Sequence, residues 1–281
     1  ININILMSII TLITDFGYKD QFVAQMKGEI YSNNPESRVV DISHNISPFN
    51  IMEAAYIIEN SYKSFPENTV HIIDVDSEKN KQKKHIIVKL DNHFFVTSDN
   101  GIMSILSQNI NFQEIYEISI LSELMAIESS LKTFTKVASH LSMGGKPEIV
   151  GKPINNLRNV KNLKPFVNSE KTQIISSVIY IDHFGNVVTN IKRSFFDKIV
   201  KGRKFEISAR NYKFNKIYSS YSDIINFNLT EDQRNDEGKA LIIFNTNNYL
   251  QISIYRSNPE NVGTAATLLG LKIYDSVSVI F

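Results

Sequence analysis

Apolar residues in the first half of the chain switch between two periods. "IITLITD" is a continuous branched run that reads as a buried strand ending at Asp15, and "DQFVAQMKGEIY" then places Phe22, Met26 and Ile30 on one helical face. "SRVVDIS" predicts a second strand ending in Ser43 and His44. The next helix opens at Asn50 with Glu53 three residues on, the spacing of a capping box, and continues through "MEAAYIIENSYKSF". "TVHIIDVD" is a third strand, and "HIIVKLDNHFFVTSDNG" supplies two shorter ones around a "DN" turn. Helices are predicted at Ile102 to Leu106 and in "TFTKVASHL". Strands alternating with helices imply an α/β sheet, whose ligands gather at the carboxyl ends of the strands. Asp15, Ser43, Asp76 and Asp99 fall at such ends.

The pattern decays between Gly144 and Glu170, where Gly, Pro, Asn and Lys predominate and a linker or peripheral loop is expected. Beyond it, "QIISSVIYID", "NVVTNI", "KFEIS", "KALIIF", "YLQISIY" and "SVSVIF" predict a smaller β-rich, barrel-like domain with one short helix near "GTAATLLGL". The expected division is an α/β domain over 8–160 and a β-rich domain over 171–281, in keeping with 281 residues.

Composition narrows the function. The formal charge of +1 provides no global field for nucleic acid, and the lysine run Lys79, Lys81, Lys83, Lys84 has no neighbouring aromatic ladder on which bases stack. Cysteine is absent, which removes disulfides and thiolate metal sites and suits a reducing cytoplasm. No uninterrupted apolar stretch is long enough for a bilayer. "ININILMSIITLI" lacks a basic leader, so a signal peptide is not expected; Met7 reads as the natural start, with Ile1 to Leu6 an upstream extension. The six histidines show no HExxH spacing, and no metal is expected.

Several stretches together resemble one family. "LITDFGYKDQFVAQMKG", "VVDISHNISPFNIMEAA", "FPENTVHIIDVD" and "SDNG", followed by "YIDHFGNVVTNI" and "GTAATLLGL", are similar in order and spacing to the S-adenosylmethionine hydroxide adenosyltransferases and the related fluorinase and chlorinase enzymes. The resemblance implies an α/β domain joined to a β-rich domain, a homotrimer with intersubunit sites, and S-adenosylmethionine as the substrate, with no further cofactor. Water, or halide in rarer members, displaces methionine from the ribose 5′ carbon. The glycine-rich dinucleotide fingerprint is missing, which disfavours a nicotinamide enzyme.

By the same resemblance, Asp15 meets the ribose hydroxyls, Phe49 covers the nucleoside, and Asp182, Phe184 and Asn186 of "DHFGN" meet the methionine amine and adenine. Arg256 and the backbone near Ala265 and Ala266 close the site. Each has a plainer alternative: a turn cap for Asp15, a helix-anchoring core residue for Phe49, an ordinary turn for "HFGN" and a surface salt bridge for Arg256. Asp20 and Ser43 read first as capping and turn residues, His183 as exposed, and Asp99 and Asn100 as support for the site or a simple turn.

The departures concern the reacting groups. Family members commonly follow the third strand with "DPGVG" and an arginine; here Asp76 matches the aspartate, "SEKN" replaces the rest, and Lys83 stands near the arginine's place. Ser129 stands near the place of the family histidine. Asp76 and Lys83 are therefore the candidate catalytic pair, although a flexible ammonium is no substitute for a rigid guanidinium fork and a solvated lysine loop is the competing reading. A sulfonium leaves as a neutral thioether and needs no general acid, so placing the nucleophile is the main requirement. Three functions remain open: a hydrolase giving adenosine and methionine, an inactive S-adenosylmethionine or adenosine sensor, and a structural trimer.

Overall fold

The computed structural model describes residues 9–106, 112–119, 129–160 and 164–281, so the expectation about Met7 falls outside the described residues. The chain divides into two compact units, Ile1–Lys161 and Asn162–Phe281.

The first unit contains β1 (Ile9–Thr14), α1 (Phe22–Asn33), β2 (Arg38–Ser43), α2 (Ile51–Glu59), β3 (Val70–Asp74), β4 (His85–Leu90), β5 (His93–Ser98), α3 (Ile102–Leu106), β6 (Glu114–Ile118), α4 (Ser130–Ser142), α5 (Pro147–Val150) and β7 (Gly151–Pro153). The strands form one mixed sheet in the order β2-β1-β3-β5-β4-β6-β7. β2, β1, β3 and β5 run parallel, while β4, β6 and β7 join in antiparallel fashion. The chain leaves β1 toward β2 and then returns across β1 to β3. Loops after β1 and β3 thus diverge, and the crevice between their carboxyl ends is the topological switch point of the sheet.

Strand alternation sends neighbouring residues to opposite faces. Ile10, Leu12, Val70 and Ile72 pack with Met26, Ile30, Phe134, Val137 and Leu141 of α1 and α4. Ile13, Ile73, Val88 and Phe95 pack with Ala54, Ala55, Ile58, Ile102 and Met103 of α2 and α3. Each fully buried large aliphatic side chain stabilises the fold by about 1.5–3 kcal/mol. Asn50 caps α2, its side chain accepting from the Glu53 amide at 3.1 Å. Glu53 reaches back to the Ser47 amide at 3.0 Å and the Asn50 side-chain amide at 3.2 Å, so the reciprocal bond of a capping box lands on neighbouring donors. The "DN" turn joins β4 to β5 with Asp91 and Asn92 both at positive φ, 48° and 61°, as a tight two-residue hairpin loop requires.

The second unit contains β8 (Phe166–Val167), β9 (Gln173–Ile181), β10 (Val187–Lys192), α6 (Arg193–Val200), β11 (Glu206–Ala209), β12 (Tyr212–Phe214), β13 (Ala240–Phe244), β14 (Tyr249–Ile254), α7 (Ala265–Leu268) and β15 (Ser276–Ile280). Antiparallel pairing gives the order β12-β11-β15-β9-β10-β14-β13, with β8 also on β9. A bridge between Tyr218, just past β12, and Ile243 of β13 brings the two ends of this path together, so the sheet is a nearly closed, barrel-like structure. Its core contains Ile174, Val187, Ile191, Ile207, Ile242 and Ile252.

Four expectations change. The buried stripe of α1 is Val23, Met26 and Ile30; Phe22 is exposed, resting on Phe16 with ring centroids 5.4 Å apart. Gln21 occupies the cap position of α1, so Asp20 is no cap. The segment read as a linker contributes α5 and the edge strand β7, because its amide and carbonyl groups complete β6. Finally, α6 went unpredicted: its eight residues bury only Phe196 and Val200, too short a stripe to stand out among strands. No described helix is long and apolar enough to cross a membrane.

Candidate active site

In the first unit the polar groups collect at the switch point. Asp15 follows β1 half-buried, and its Oδ2 accepts the Phe49 amide at 2.8 Å. That bond ties the loop before α2 to the end of β1. Phe49 itself has φ 64° and is 73% exposed, so it does not anchor α2 from the core. Asp76 lies two residues past β3 with φ 48°. Side chains pay for left-handed backbone in strain, and such strain persists only where surrounding contacts impose it. Here they do. The Lys83 ammonium donates to the Asp76 carbonyl at 2.9 Å and to its Oδ1 at 2.6 Å, while the Asn100 side chain donates to the carbonyls of Val75 at 2.9 Å and Asp76 at 3.3 Å. Lys83 is only 12% exposed, unlike Lys79 and Lys81, so it is not a freely solvated loop lysine. These bonds fall on Asp76 Oδ1 and Asp15 Oδ2, and among the described residues neither Asp76 Oδ2 nor Asp15 Oδ1 makes a hydrogen bond.

Asp99 turns away from this turn: its Oδ1 accepts the Arg158 amide at 2.8 Å. Ser43 accepts the Asn45 amide at 3.3 Å, a local turn contact. His44 is buried, bonded through Nδ1 to Thr14 Oγ1 at 2.8 Å, with Nε2 3.1 Å from Asp41, which also binds Lys27 at 2.6 Å.

Sequence reasoning passed over Asp74. It shares the strand phase of Val70 and Ile72 and so points to the α4 side, fully buried, where Ser130 donates to its Oδ2 at 3.2 Å. Burial pushes its carboxyl up to about 7; the Ser130 and Ser77 hydrogen bonds oppose the rise and the Asp15 charge adds to it. The signal was available: an acid in the phase reserved for core residues. Around Ser77, the His85 ring donates from Nε2 to the Ser77 carbonyl at 2.9 Å and Ser98 donates to the same oxygen at 3.1 Å, fixing the backbone just beyond Asp76.

The second unit holds a separate cluster. Asp182 closes the "DHFGN" turn on itself: Oδ1 accepts the amides of Phe184 and Asn186, both at 2.9 Å, and Oδ2 accepts the Asn186 side-chain amide at 2.8 Å. Three of roughly four acceptor sites of the carboxylate are therefore filled. Phe184 is exposed, with its ring 5.6 Å from that of His183, and Asn186 is buried. Gly185, at φ 72°, lies so close to Thr264 that an added Cβ would fall 2.3 Å from its side chain. Its carbonyl accepts the Ala266 amide at 3.0 Å, and Ala265 is buried in the core. Arg256, at φ 52°, pairs with Glu237 at 2.7 Å on the surface. Among the described residues no group of three or more His, Asp or Glu is placed to hold a metal ion.

An α/β sheet with acids gathered at its switch point, in one chain with a barrel-like antiparallel unit, defines a two-domain α/β-plus-β protein. The chain belongs to the SAM hydroxide adenosyltransferase family: the pattern of its N-terminal domain matches residues 10–151 and that of its C-terminal domain residues 176–278. Among curated relatives, the (R)-S-adenosyl-L-methionine hydrolase of Methanocaldococcus jannaschii is 28% identical over 98% of this chain and 97% of its own. A fluorinase of an Actinoplanes species is 25% identical over 68% of this chain and 74% of its own. A solved structure of an uncharacterized conserved protein from Thermotoga maritima superposes with a TM-score of 0.79 at 28% identity, covering 97% of this chain and all of that one.

Proposed function

We propose that this chain hydrolyses S-adenosylmethionine, transferring the adenosyl group to water or hydroxide and releasing adenosine and methionine. The observation that carries this reading is the pair of strand ends at the switch point, Asp15 after β1 and the Lys83-clamped Asp76 after β3, in a chain matched in both domains by the family. Asp15 Oδ1 accepts ribose hydroxyls. Asp76 Oδ2 accepts from the attacking water, whose place Lys83 fixes by holding the carboxylate. In-line placement of a nucleophile contributes up to about 7–11 kcal/mol in favourable systems, and a sulfonium asks for little else. Phe49 and Phe184 supply apolar cover; Asp182 offers its remaining acceptor site to the methionine ammonium, Asn186 its amide to adenine, and Arg256 exchanges Glu237 for the methionine carboxylate. The backbone at Ala265 completes that end. The working assembly is a homotrimer with sites shared between subunits, in the cytoplasm.

Product analysis tests the reading. Wild type incubated with S-adenosylmethionine yields adenosine and methionine in equal amounts, and added halide leaves the product unchanged. Tight binding of adenosine without turnover makes the protein a sensor instead. Light scattering that finds only monomer, with and without adenosine, removes the trimer.

A further inference from the structure

Asp74 is a buried acid with no role in the scheme above. It terminates β3 at the switch point, directly across from Thr14 on β1, one residue before Asp15. Its bonded partner at Oδ2 is a hydroxyl, that of Ser130, the first residue of α4, and Ser130 is only half-buried. A fold that wanted packing alone would place another Val or Ile in this phase, since an uncompensated buried carboxyl costs stability.

We propose that Ser130 and Asp74 form a proton relay that receives the proton released by the attacking water. The inference rests on the hydrolase reading. As the water oxygen bonds to the ribose 5′ carbon, the carbon–sulfur bond breaks and its electron pair leaves with the methionine thioether. The water's proton passes to Ser130 Oγ while the Ser130 proton passes to the Asp74 carboxylate, which later releases it to solvent. The balance is one water consumed and one proton released. Asp76 positions the water; Asp74, acting through Ser130, takes up its charge.

The charged neighbours are accounted for by element. Asp15 comes from the end of β1; Asp76 and Lys83, bound to each other, from the loop after β3; His85 from β4, held on the Ser77 carbonyl; Asp99 from the end of β5, held on the Arg158 amide; and Lys132 from α4, exposed. Of these, Asp15 is the charge that acts on Asp74, and it acts to keep the proton on.

The test is kcat for S-adenosylmethionine hydrolysis by the full chain from about pH 5 to about pH 9, with adenosine affinity measured alongside. Wild-type kcat rises with pH and levels off above about 7. Asp74→Asn lowers the plateau about 10²-fold and flattens the profile, the usual scale for loss of a general base. Ser130→Ala lowers it likewise, Ser130→Thr restores it, and adenosine affinity is unchanged throughout. Asp74→Asn that keeps the wild-type kcat and profile overturns the relay, as does Ser130→Thr that behaves like Ser130→Ala. If Asp74→Asn fails to fold, the Ser130 pair decides. Wild type without turnover fails the hydrolase reading itself, a result visible before any variant is compared.

Discussion

The two ends of the central strands bury polar groups for opposite purposes. At their beginnings, His71 of β3 and His93 of β5 bond to each other at 3.1 Å, His71 bonds to Thr11 at 2.7 Å, Tyr62 meets both rings edge-on and Phe95 stacks on His71. Both buried imidazoles are hydrogen-bonded, and the one carboxylate nearby, Asp91, sits at the rim where it accepts from Tyr62 at 2.8 Å and pairs with Lys63, an arrangement a core tolerates. Burial, reinforced by His93, drives the His71 pKa down to about 3. At the carboxyl ends of the same strands, Asp74 is buried beside Asp15 and its pKa moves up. One end suppresses charge to hold the sheet together, while the other keeps an acid where charge is expensive. A cost of that kind is expected of chemistry rather than of packing.

The largest expected effect sharpens this contrast through pH. His71, with its folded pKa below the unfolded value of about 6.5, contributes stability that is complete above that value and lost as pH falls toward about 3. Asp74, with its folded pKa raised above an unfolded value of about 3.9, contributes stability that is complete below that value and lost as pH rises through about 7. Between about pH 4 and pH 6.5 the two slopes oppose each other, each close to 1.4 kcal/mol per unit. Asp74→Asn therefore raises the melting temperature at pH 8 and leaves the His71 slope, to which the lowered pKa values of His85 and His93 add, unopposed by Asp74, so that stability falls by roughly 3 kcal/mol or more from pH 6.5 to pH 4. Thermal denaturation across this range checks it; a variant whose pH slope is no steeper than that of wild type contradicts the assignment.

Next in size is turnover. Asp76→Asn, chosen over alanine because φ is 48°, lowers kcat by about 10²-fold with adenosine affinity nearly unchanged, as loss of an interaction made in the transition state requires. Smaller again, Asp15→Asn weakens adenosine binding by about 1.5–3 kcal/mol, the worth of a charged acceptor, and by more than Lys83→Ala does; calorimetry ranks the two. Smallest, Asn50→Ala removes the α2 cap at a cost of about 1 kcal/mol, read as a shift in denaturant midpoint with kcat retained.

What the sequence made legible follows from locality. The strand ending at Asp15, the Asn50 cap and the Asp91–Asn92 turn are each decided within a few residues, and each is found. The contact between His71 and His93 spans strands and could not be read from either segment. Asp74 has no part in the sequence reading. Its phase with Val70 and Ile72 marks it as interior, but only α4, contributed from more than fifty residues away, shows what it faces. The clamping of Asp76 by Lys83 and Asn100 depends likewise on how a loop folds back and on the end of β5. α6 and β7 were missed because short elements take their order from neighbours already in place.

The approach of Gly185 to Thr264 has a consequence for how this protein changes over generations. Thr264 also caps α7, accepting the Thr267 amide at 3.2 Å, so one side chain both starts a helix and fills the space beneath the "DHFGN" turn. A lineage that gains a side chain at position 185 must first shrink position 264, and in doing so gives up the cap. The two positions are thus coupled, while the neighbouring His183, exposed and outside this contact, carries no such constraint.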